Sequence, residues 1–416
     1  MSRSTLVRDG GPVERRRHTR SRGRLRAAVW TSAAVGLAAV AGAASGGAAA
    51  VAAPAIGHGR RPPLVVGAVL DLTGPGAAEG QAGKKGMDFE VRQINAAGGV
   101  NGRKLEVQTC DTQSTPSGGA QCATQLSSVN SHVVLVLGSL PSTLGAVPHL
   151  SSSVVGISIV PVLFPKRGTN MFQMGPLEKS FVGPFIRAAK AAHVSKIGVI
   201  YVNEASGTAQ LAAVEGAAKA AGIGVVSEPM DPSATDVTPE LDQLTAQGAK
   251  AIFSATIGSA DTAVVTSYHT LGLSLPLVMG AEAVSDDFLK SLSFPIPPKL
   301  YGIASMAVGP GFSGPITRAW SSLLPAYQKF ARQPLDNEGT TTIDSVCVAA
   351  AALAGTHAGP GGRLKRYLET QTVRCLGSNL QFDQVPGLNV VTGVPTALAQ
   401  AGPSVSDGWA AVRTGF

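Results

Sequence analysis

The feature that most constrains this chain is the alternation of short apolar runs with segments of helical periodicity. Residues 64–70 form an apolar run rich in β-branched residues, a glycine turn follows at 73–76, and Met87, Val91 and Ile94 then recur at helical spacing. Such a run bounded by turn residues predicts a strand, a turn and a helix. Similar apolar runs occur at 105–109, 133–138 and 157–160, with room for a helix between each pair.

A second block repeats this alternation. Its predicted strands lie at 197–201, 224–228, 251–254, 277–279 and 302–306, with predicted helices at 208–221 and 239–248 and, further on, at 319–330 and 342–353. Repeated β-α-β order with near-continuous apolar strands predicts parallel sheets covered by helices on both faces. Ligands bind at the carboxyl ends of parallel strands, so two such blocks that face each other form a cleft.

Residues 1–53 have the layout of a secretory signal. Seven arginines between 15 and 26 precede an Ala-rich apolar run at 27–53. A basic region followed by an apolar stretch with small residues at its end predicts an exported, extracytoplasmic protein, with cleavage near Ala53. A retained membrane anchor and a twin-arginine route are the alternatives. No cysteine precedes Cys110, so we do not expect a lipoprotein.

Charge and cysteine content limit the function further. The predicted signal holds nine arginines and two acids, which leaves 25 basic and 24 acidic residues in the rest of the chain. This near-neutral balance gives no reason to expect a nucleic-acid partner. Export would place Cys110, Cys122, Cys347 and Cys375 in an oxidising compartment. We expect one bridge between Cys110 and Cys122 and another between Cys347 and Cys375, although three pairings and free buried thiols are open.

The mature chain shows no local signature of catalysis. It contains no G-x-S-x-G, no H-E-x-x-H and no phosphate-binding G-x-x-x-x-G-K-[ST], and the glycine turn at 73–76 lacks the lysine and the third glycine of a phosphate loop. Its six histidines are scattered singly, and no cysteine pair has zinc-ligand spacing. We therefore expect neither an enzyme nor a metal or other cofactor, although a site assembled from distant residues would escape such a search.

Several short motifs follow one pattern along the mature chain. They are LTGP at 72–75, GQAG at 80–83, INAAGGVNGR at 94–103, Cys110 with Asp111, DPSATD at 231–236, LGL at 271–273 and FD at 382–383. In these motifs the chain resembles the leucine/isoleucine/valine-binding proteins, the type I periplasmic binding proteins of branched-chain amino acid ABC importers. The resemblance covers essentially the whole mature chain.

The resemblance implies an α/β fold of two Rossmann-like lobes with parallel-sheet cores. Three hinge crossovers would join them near 173–175, 305–307 and 380–382. Lobe 1 would then comprise 64–174 with 307–380, and lobe 2 would comprise 175–306 with 381–416. All four cysteines would lie in lobe 1, so neither disulfide would restrict closure of the hinge.

The resemblance also implies which residues bind the ligand. In the family, three features hold the carboxylate and ammonium groups of an amino acid. They are a serine after a glycine-rich strand end, a Pro-x-x-Thr-x-Pro loop and a glutamate of the second lobe. The serine corresponds to Ser142, which Thr143 follows, and the glutamate corresponds to Glu282. The alternatives are a turn in which Ser142 bonds its own backbone, and a solvated Glu282.

Departures from the family pattern bear on the ligand. The loop is PVLFP at 161–165, one residue shorter and without a hydroxyl, so Leu163 and Phe164 stand there. Glu79 and Ser206 replace the two aromatic residues that close over the ligand side chain. Because a buried charge needs a partner, we expect a small molecule other than leucine, isoleucine or valine, either amide-like, aromatic-derived or cationic.

The expected function is binding without chemistry. A small molecule would shift an open–closed equilibrium of the lobes, and the closed monomer would dock on an ABC permease in the membrane. A ligand-sensing module that is not coupled to transport is the alternative from another class, and an enzyme is the third.

Overall fold

The computed structural model describes residues 61–416 except 162, 176–180, 282, 306–314, 376–377, 395, 403–407 and 413–415. The predicted signal at 1–53 lies outside the described residues. No helix within the described ranges is long and apolar enough to cross a membrane.

Five parallel strands form the first sheet, in the order β2-β1-β3-β4-β5. Its elements are β1 (Leu64–Leu70), α1 (Ala77–Ala96), β2 (Leu105–Asp111), α2 (Pro116–Leu126), β3 (Val133–Val136), α3 (Leu140–Ala146), β4 (Val155–Ser158) and β5 (Met171–Gln173). β1 lies between β2 and β3, with Leu64 opposite Leu105 and Gly67 opposite Val134. The predicted strand, turn and helix at 64–96 are therefore confirmed.

The second block begins a separate sheet. Its elements are α4 (Gly183–Ala191), β6 (Lys196–Val202), α5 (Ala205–Ala221), β7 (Gly224–Met230), α6 (Thr238–Ala246), β8 (Ala251–Ala255), α7 (Ser259–Thr270), β9 (Leu277–Met279), α8 (Asp286–Ser291) and β10 (Leu300–Ser305). The helix predicted to start at Thr208 starts three residues earlier, after Glu204. It ends at Gly222, whose φ of 73° suits a left-handed C-terminal residue.

The remaining chain adds helices, a separate two-stranded sheet of β11 and β12, and the last strands of the second sheet. Its elements are α9 (Pro315–Ala331), α10 (Asn337–Gly355), α11 (Gly361–Thr370), β11 (Val373–Cys375), β12 (Ser378–Leu380), β13 (Thr396–Ala401) and β14 (Trp409–Ala411). α10 packs closely along α1, where a Cβ on Gly86 would lie 2.5 Å from the carbonyl oxygen of Gly339. β13 and β14 complete the second sheet, whose order is β14-β13-β10-β9-β8-β6-β7. Both pair antiparallel, so the second sheet is not wholly parallel.

The predicted third crossover is misplaced. Residues 381–391 still belong with the first sheet, because Phe382 and Val391 are buried in its core. The amide of Asn389 donates to the carbonyl of Pro165 at 2.8 Å, and the amide of Gln173 donates to the carbonyl of Asn389 at 2.9 Å. The chain joins the second sheet only at Thr396. The boundary between 380 and 381 therefore moves by more than ten residues toward the C-terminus.

The structure joins the cysteines in the expected pairs. Cys110 of β2 is bonded to Cys122 of α2, and Cys347 of α10 is bonded to Cys375 of β11. The Cα atoms are 5.5 and 5.9 Å apart, within the range that a disulfide spans. Both bridges tie elements that pack on the first sheet.

Candidate functional site

Two neighbouring cavities lie at the carboxyl ends of the strands, where each sheet reverses its strand order. The first has a volume of about 110 Å³ and the second about 280 Å³. The first is lined by the segments after β1, β3 and β4 on one side and by Ser206, Gln210 and Ile257 on the other. This is the position at which open α/β sheets bind ligands. Residues of both sheets thus enclose one cleft.

A buried carboxylate fixes the wall formed by the first sheet. Asp71, at the end of β1, is only 1% exposed. Its Oδ2 accepts a hydrogen bond from the amide of Ser139 at 3.0 Å, and its Oδ1 accepts one from the Thr112 hydroxyl. A Cβ on Gly138 would lie 2.7 Å from Asp71 Oδ1, so only glycine lets the chain pass this carboxylate. Ser139 and Gly138 are thereby held at the cavity surface.

A second carboxylate holds the loop that follows β1. Asp111 Oδ1 accepts hydrogen bonds from the amides of Leu72, Thr73 and Gln113, at 2.9, 3.2 and 3.0 Å. Asp111 Oδ2 accepts one from the Thr73 hydroxyl at 2.7 Å. Desolvation acts to raise the pKa of Asp111, but the hydrogen bonds from Gln113, Thr73 and Leu72 outweigh it and lower that pKa. The charged form therefore holds the loop that leads into α1.

The wall formed by the second sheet includes hydroxyl, amide and carboxylate side chains. In α5, Ser206 and Gln210 lie four residues apart, so both face the first cavity. After β8, the hydroxyl of Thr256 donates to Asp261 and lies 2.6 Å from the Ser254 hydroxyl. Asp261 is buried and lines the second cavity.

Two of the predicted ligand-binding residues lie on the cleft surface. Glu79, in the first turn of α1, lines both cavities. Ser206, in the first turn of α5, lines the first cavity from the opposite side. Contact of Glu79 or Ser206 with a ligand stays a prediction.

Ser142 and Thr143 line neither cavity in this structure. Both are 0% exposed. The Ser142 hydroxyl lies 3.1 Å from that of Thr112 and 3.3 Å from that of Ser139, and the Thr143 hydroxyl donates to the Gly138 carbonyl at 2.9 Å. The side chain that reaches the cavity from this turn is Ser139, three residues before the predicted serine. Contact of Ser142 or Thr143 with a ligand stays a prediction.

Leu163 and Phe164 also line neither cavity. Leu163 packs against a cluster behind the loop that includes Leu150 and Met171. Phe164 is 43% exposed, with a φ of 44°, and its amide donates to Gln173 Oε1 at 2.9 Å. The cavity wall comes instead from the residues just before them, 159–161. Glu282 lies outside the described residues.

Gln210 and Glu338 are among the cavity residues that were not anticipated from the sequence. Gln210 follows Ser206 by one helical turn, a spacing that would have placed both on one face. Glu338 lines both cavities from the first turn of α10. That helix was expected to start near Thr342, but Asp336 caps it by accepting from the Gly339 amide at 2.7 Å. The capping pattern DNEG at 336–339 would have located the start of this helix, but not its approach to the cleft.

Among the described residues, the charged side chains that line the two cavities are all acidic. Glu79 and Glu338 line both cavities, and Asp261 and Asp336 line the second. Neither lining includes a lysine, an arginine or a histidine among the residues that the structure describes. In the described part of the chain, no group of three or more His, Cys, Asp or Glu is placed to hold a metal ion.

Comparison with known proteins gives the class. A family profile described as "Periplasmic binding protein" matches residues 63–392, most of the chain. The chain therefore belongs to the periplasmic binding protein family, as the sequence motifs implied.

Particular relatives agree with this class. Over 85 residues the chain is 38% identical to the Leu/Ile/Val-binding protein homolog 3 of Brucella melitensis, covering 20% of this chain and 22% of the relative. The chain thus matches only about a fifth of that relative's length.

Solved structures of low sequence identity share the fold. The branched-chain amino acid transporter substrate binding protein LivJ from Streptococcus pneumoniae, solved with isoleucine, is 21% identical with a TM-score of 0.70, covering 84% of this chain and 99% of LivJ. A solute binding protein of an ABC transporter from Rhodopseudomonas palustris BisB5, solved with 3,4-dihydroxy benzoic acid, is 17% identical with a TM-score of 0.70, covering 85% and 97%. The two-lobed α/β fold of this family is therefore shared.

Proposed function

We propose that this chain is the solute-binding component of an ABC importer of the branched-chain amino acid type. It binds one small molecule in the cleft, and closure of the two lobes carries that molecule to a membrane permease. The observation that carries the proposal is the pair of cavities lined by residues of both sheets at their strand carboxyl ends. Membership of the periplasmic binding protein family supports it.

The proposal includes an extracytoplasmic location. The arginines and apolar run of residues 1–53 support export by a signal peptide that is cleaved near Ala53. The two disulfides are consistent with an oxidising compartment. The protein acts as a monomer and performs no chemistry on its ligand.

Native mass spectrometry of the secreted, purified protein tests the proposal. We expect one small-molecule adduct that disappears after unfolding and refolding and returns when the released molecule is added back. A protein that carries no adduct, and whose melting temperature no compound of a broad metabolite library raises, would contradict it. Deletion of the gene should then abolish uptake of that molecule, whereas lost signalling with unchanged uptake would mark a sensing module.

A further inference from the structure

We propose that the ligand of this cleft is a cation with an apolar body and no free carboxylate. The inference deepens the proposed function and rests on it, because it assigns a chemical class to the solute. Three observations carry it: the charge of the cleft, the occupation of one amide in its wall by Asp71, and the state of the Gln210 amide.

The charge of the cleft favours a cation. Glu79 and Glu338 line both cavities, so a ligand in either one meets at least these two carboxylates. Asp261 and Asp336 add further acidic groups to the second cavity. A ligand carboxylate would meet like charges in a partly desolvated site, and the described lining has no basic side chain to pair with it. An ammonium or amidinium group would instead meet charges of opposite sign.

An internal carboxylate already occupies an amide at the end of β3. There the Ser139 amide donates to Asp71 at 3.0 Å, so this N–H is not available to a ligand. Asp71 also lies directly behind Gly138, a residue of the cavity surface. A ligand carboxylate at this wall would therefore approach a buried acid, at a high cost in desolvation and repulsion.

The side chain of Gln210 offers a polar group to a ligand in the first cavity. It is only 8% exposed, it lines the cavity, and no hydrogen bond ties it to the part of the chain that the structure describes. Its amide is not among the described side-chain atoms that are buried without a partner, so it is open to the cavity and available to a bound group. Its amide oxygen can accept an N–H of a cationic group.

Besides the hydroxyl groups of Ser139 and Ser206, much of the remaining wall of the first cavity is apolar. It is formed by Leu137, Leu140, Ile159, Val160, Pro161 and Ile257. Apolar surface of this kind gives binding energy to a hydrocarbon or aromatic body, while the polar groups orient it. An apolar amine, or a compound whose carboxyl is masked as an amide, combines these features.

Four compounds that share an isobutyl group separate the effect of a cation from that of a carboxylate. Isothermal titration of the refolded, ligand-free mature protein would use 3-methylbutylamine, leucinamide, leucine and 4-methylpentanoate. The first two carry a cation and no carboxylate, and we expect each to bind at least about tenfold more tightly than the last two, the difference expected of a charged hydrogen-bonding partner. The inference is overturned if leucine or 4-methylpentanoate binds as tightly as the amines, or if neither amine binds.

Matched variants assign the effect to the cleft. Glu79→Gln and Glu338→Gln remove charge with little change of shape, and each should weaken amine binding about tenfold. Glu106→Gln removes a carboxylate on the exposed side of β2, outside both cavity linings, and should leave binding unchanged. Equal affinities of all three variants and the parent protein would overturn the inference. Thermal unfolding would verify that each variant is folded.

The inference and the proposed function fail in different ways. If the molecule released from the purified protein forms a methyl ester, it has a carboxylate. The cation inference is then wrong, while solute binding stands. If no molecule is released and none of the four compounds binds, both are wrong. A released molecule that reacts with an amine reagent and not with an esterifying one supports both.

Discussion

The carboxylate of Asp71 accepts a hydrogen bond from the Ser139 amide at 3.0 Å, and this bond joins the end of β1 to the start of α3. In Asp71→Ala, the Ser139 amide and the Thr112 hydroxyl would lose a buried acceptor. We expect unfolding to become easier by about 2–4 kcal/mol, because each buried donor left without a partner costs about 1–3 kcal/mol. Urea denaturation measures this. Asp242→Ala, at an exposed position of α6, should change stability little, and equal losses in both variants would contradict the assigned role.

Two carboxyl groups are buried between α1 and α10, and they make stability depend on pH. Desolvation raises the pKa of Glu90 to about 7, and desolvation with the nearby Glu90 charge raises the pKa of Asp344 well above its usual range. Asp344 Oδ1 is buried without a hydrogen-bond partner in the described structure. The folded state therefore binds protons that the unfolded chain releases.

The sign of this dependence follows from proton linkage. The stability linked to Glu90 is fully present below its ordinary pKa of 4.5 and is lost as pH rises through about 7. Glu90→Gln should be more stable than the parent protein above pH 7, by about 3 kcal/mol at most, and less dependent on pH. Urea titrations at intervals between pH 5 and 8 would measure this, with the exposed Glu106→Gln as control. A parent protein that gains stability toward alkaline pH would refute the argument.

Reduction of the disulfides should destabilise the first lobe without removing ligand binding. The bridges close chain segments with separations of 12 and 28 residues, and a disulfide of this kind stabilises by about 2–4 kcal/mol. Both bridges join elements that pack on the first sheet, so neither spans the cleft. Calorimetry of oxidised and reduced protein should show a lower melting temperature after reduction. Loss of ligand binding while the reduced protein is still folded would be inconsistent with this placement.

Close packing of α2 against α3 requires glycine at one position. A Cβ on Gly145 would lie 2.0 Å from the carbonyl oxygen of Pro116, so Gly145→Ala must push the helices apart. We expect a loss of about 2 kcal/mol or more. Gly216, inside α5, has open space around its Cβ position, and Gly216→Ala should gain about 0.5–1 kcal/mol from helix propensity. The same sign of change in both variants, measured by urea denaturation, would contradict the structure.

Much of the fold could be predicted from apolar pattern alone. The strand at 64–70 is a continuous apolar run because helices cover both sides of its sheet, and the helix at 77–96 follows a glycine turn. The third crossover was misplaced because it depends on tertiary packing. Phe382 and Val391 are buried in the first lobe, and no local pattern distinguishes the sheet that such residues join.

The candidate site was predicted less completely. Glu79 and Ser206 stand at helix starts that the motifs located, and both lie on the cleft surface. Ser142 is buried because its hydroxyl joins Thr112 and Ser139 beneath the wall, an arrangement that depends on how the segments after β2 and β3 meet across the end of β1. Glu338 could be placed at the cleft only from the structure, because it lies at the start of α10, which packs on the first lobe. Such long-range approaches are set by topology and leave little trace in short sequence patterns.

Small-angle X-ray scattering of the ligand-free and the ligand-saturated protein tests the central claim most directly. The account predicts that saturation with the molecule that copurifies with the protein lowers the radius of gyration, because the lobes close on it. Gln210→Leu should reduce that response at equal ligand concentration, since Gln210 lines the first cavity. Two results together would contradict the account. They are an unchanged radius of gyration of the parent protein at saturating ligand, and a ligand affinity that Gln210→Leu leaves unchanged.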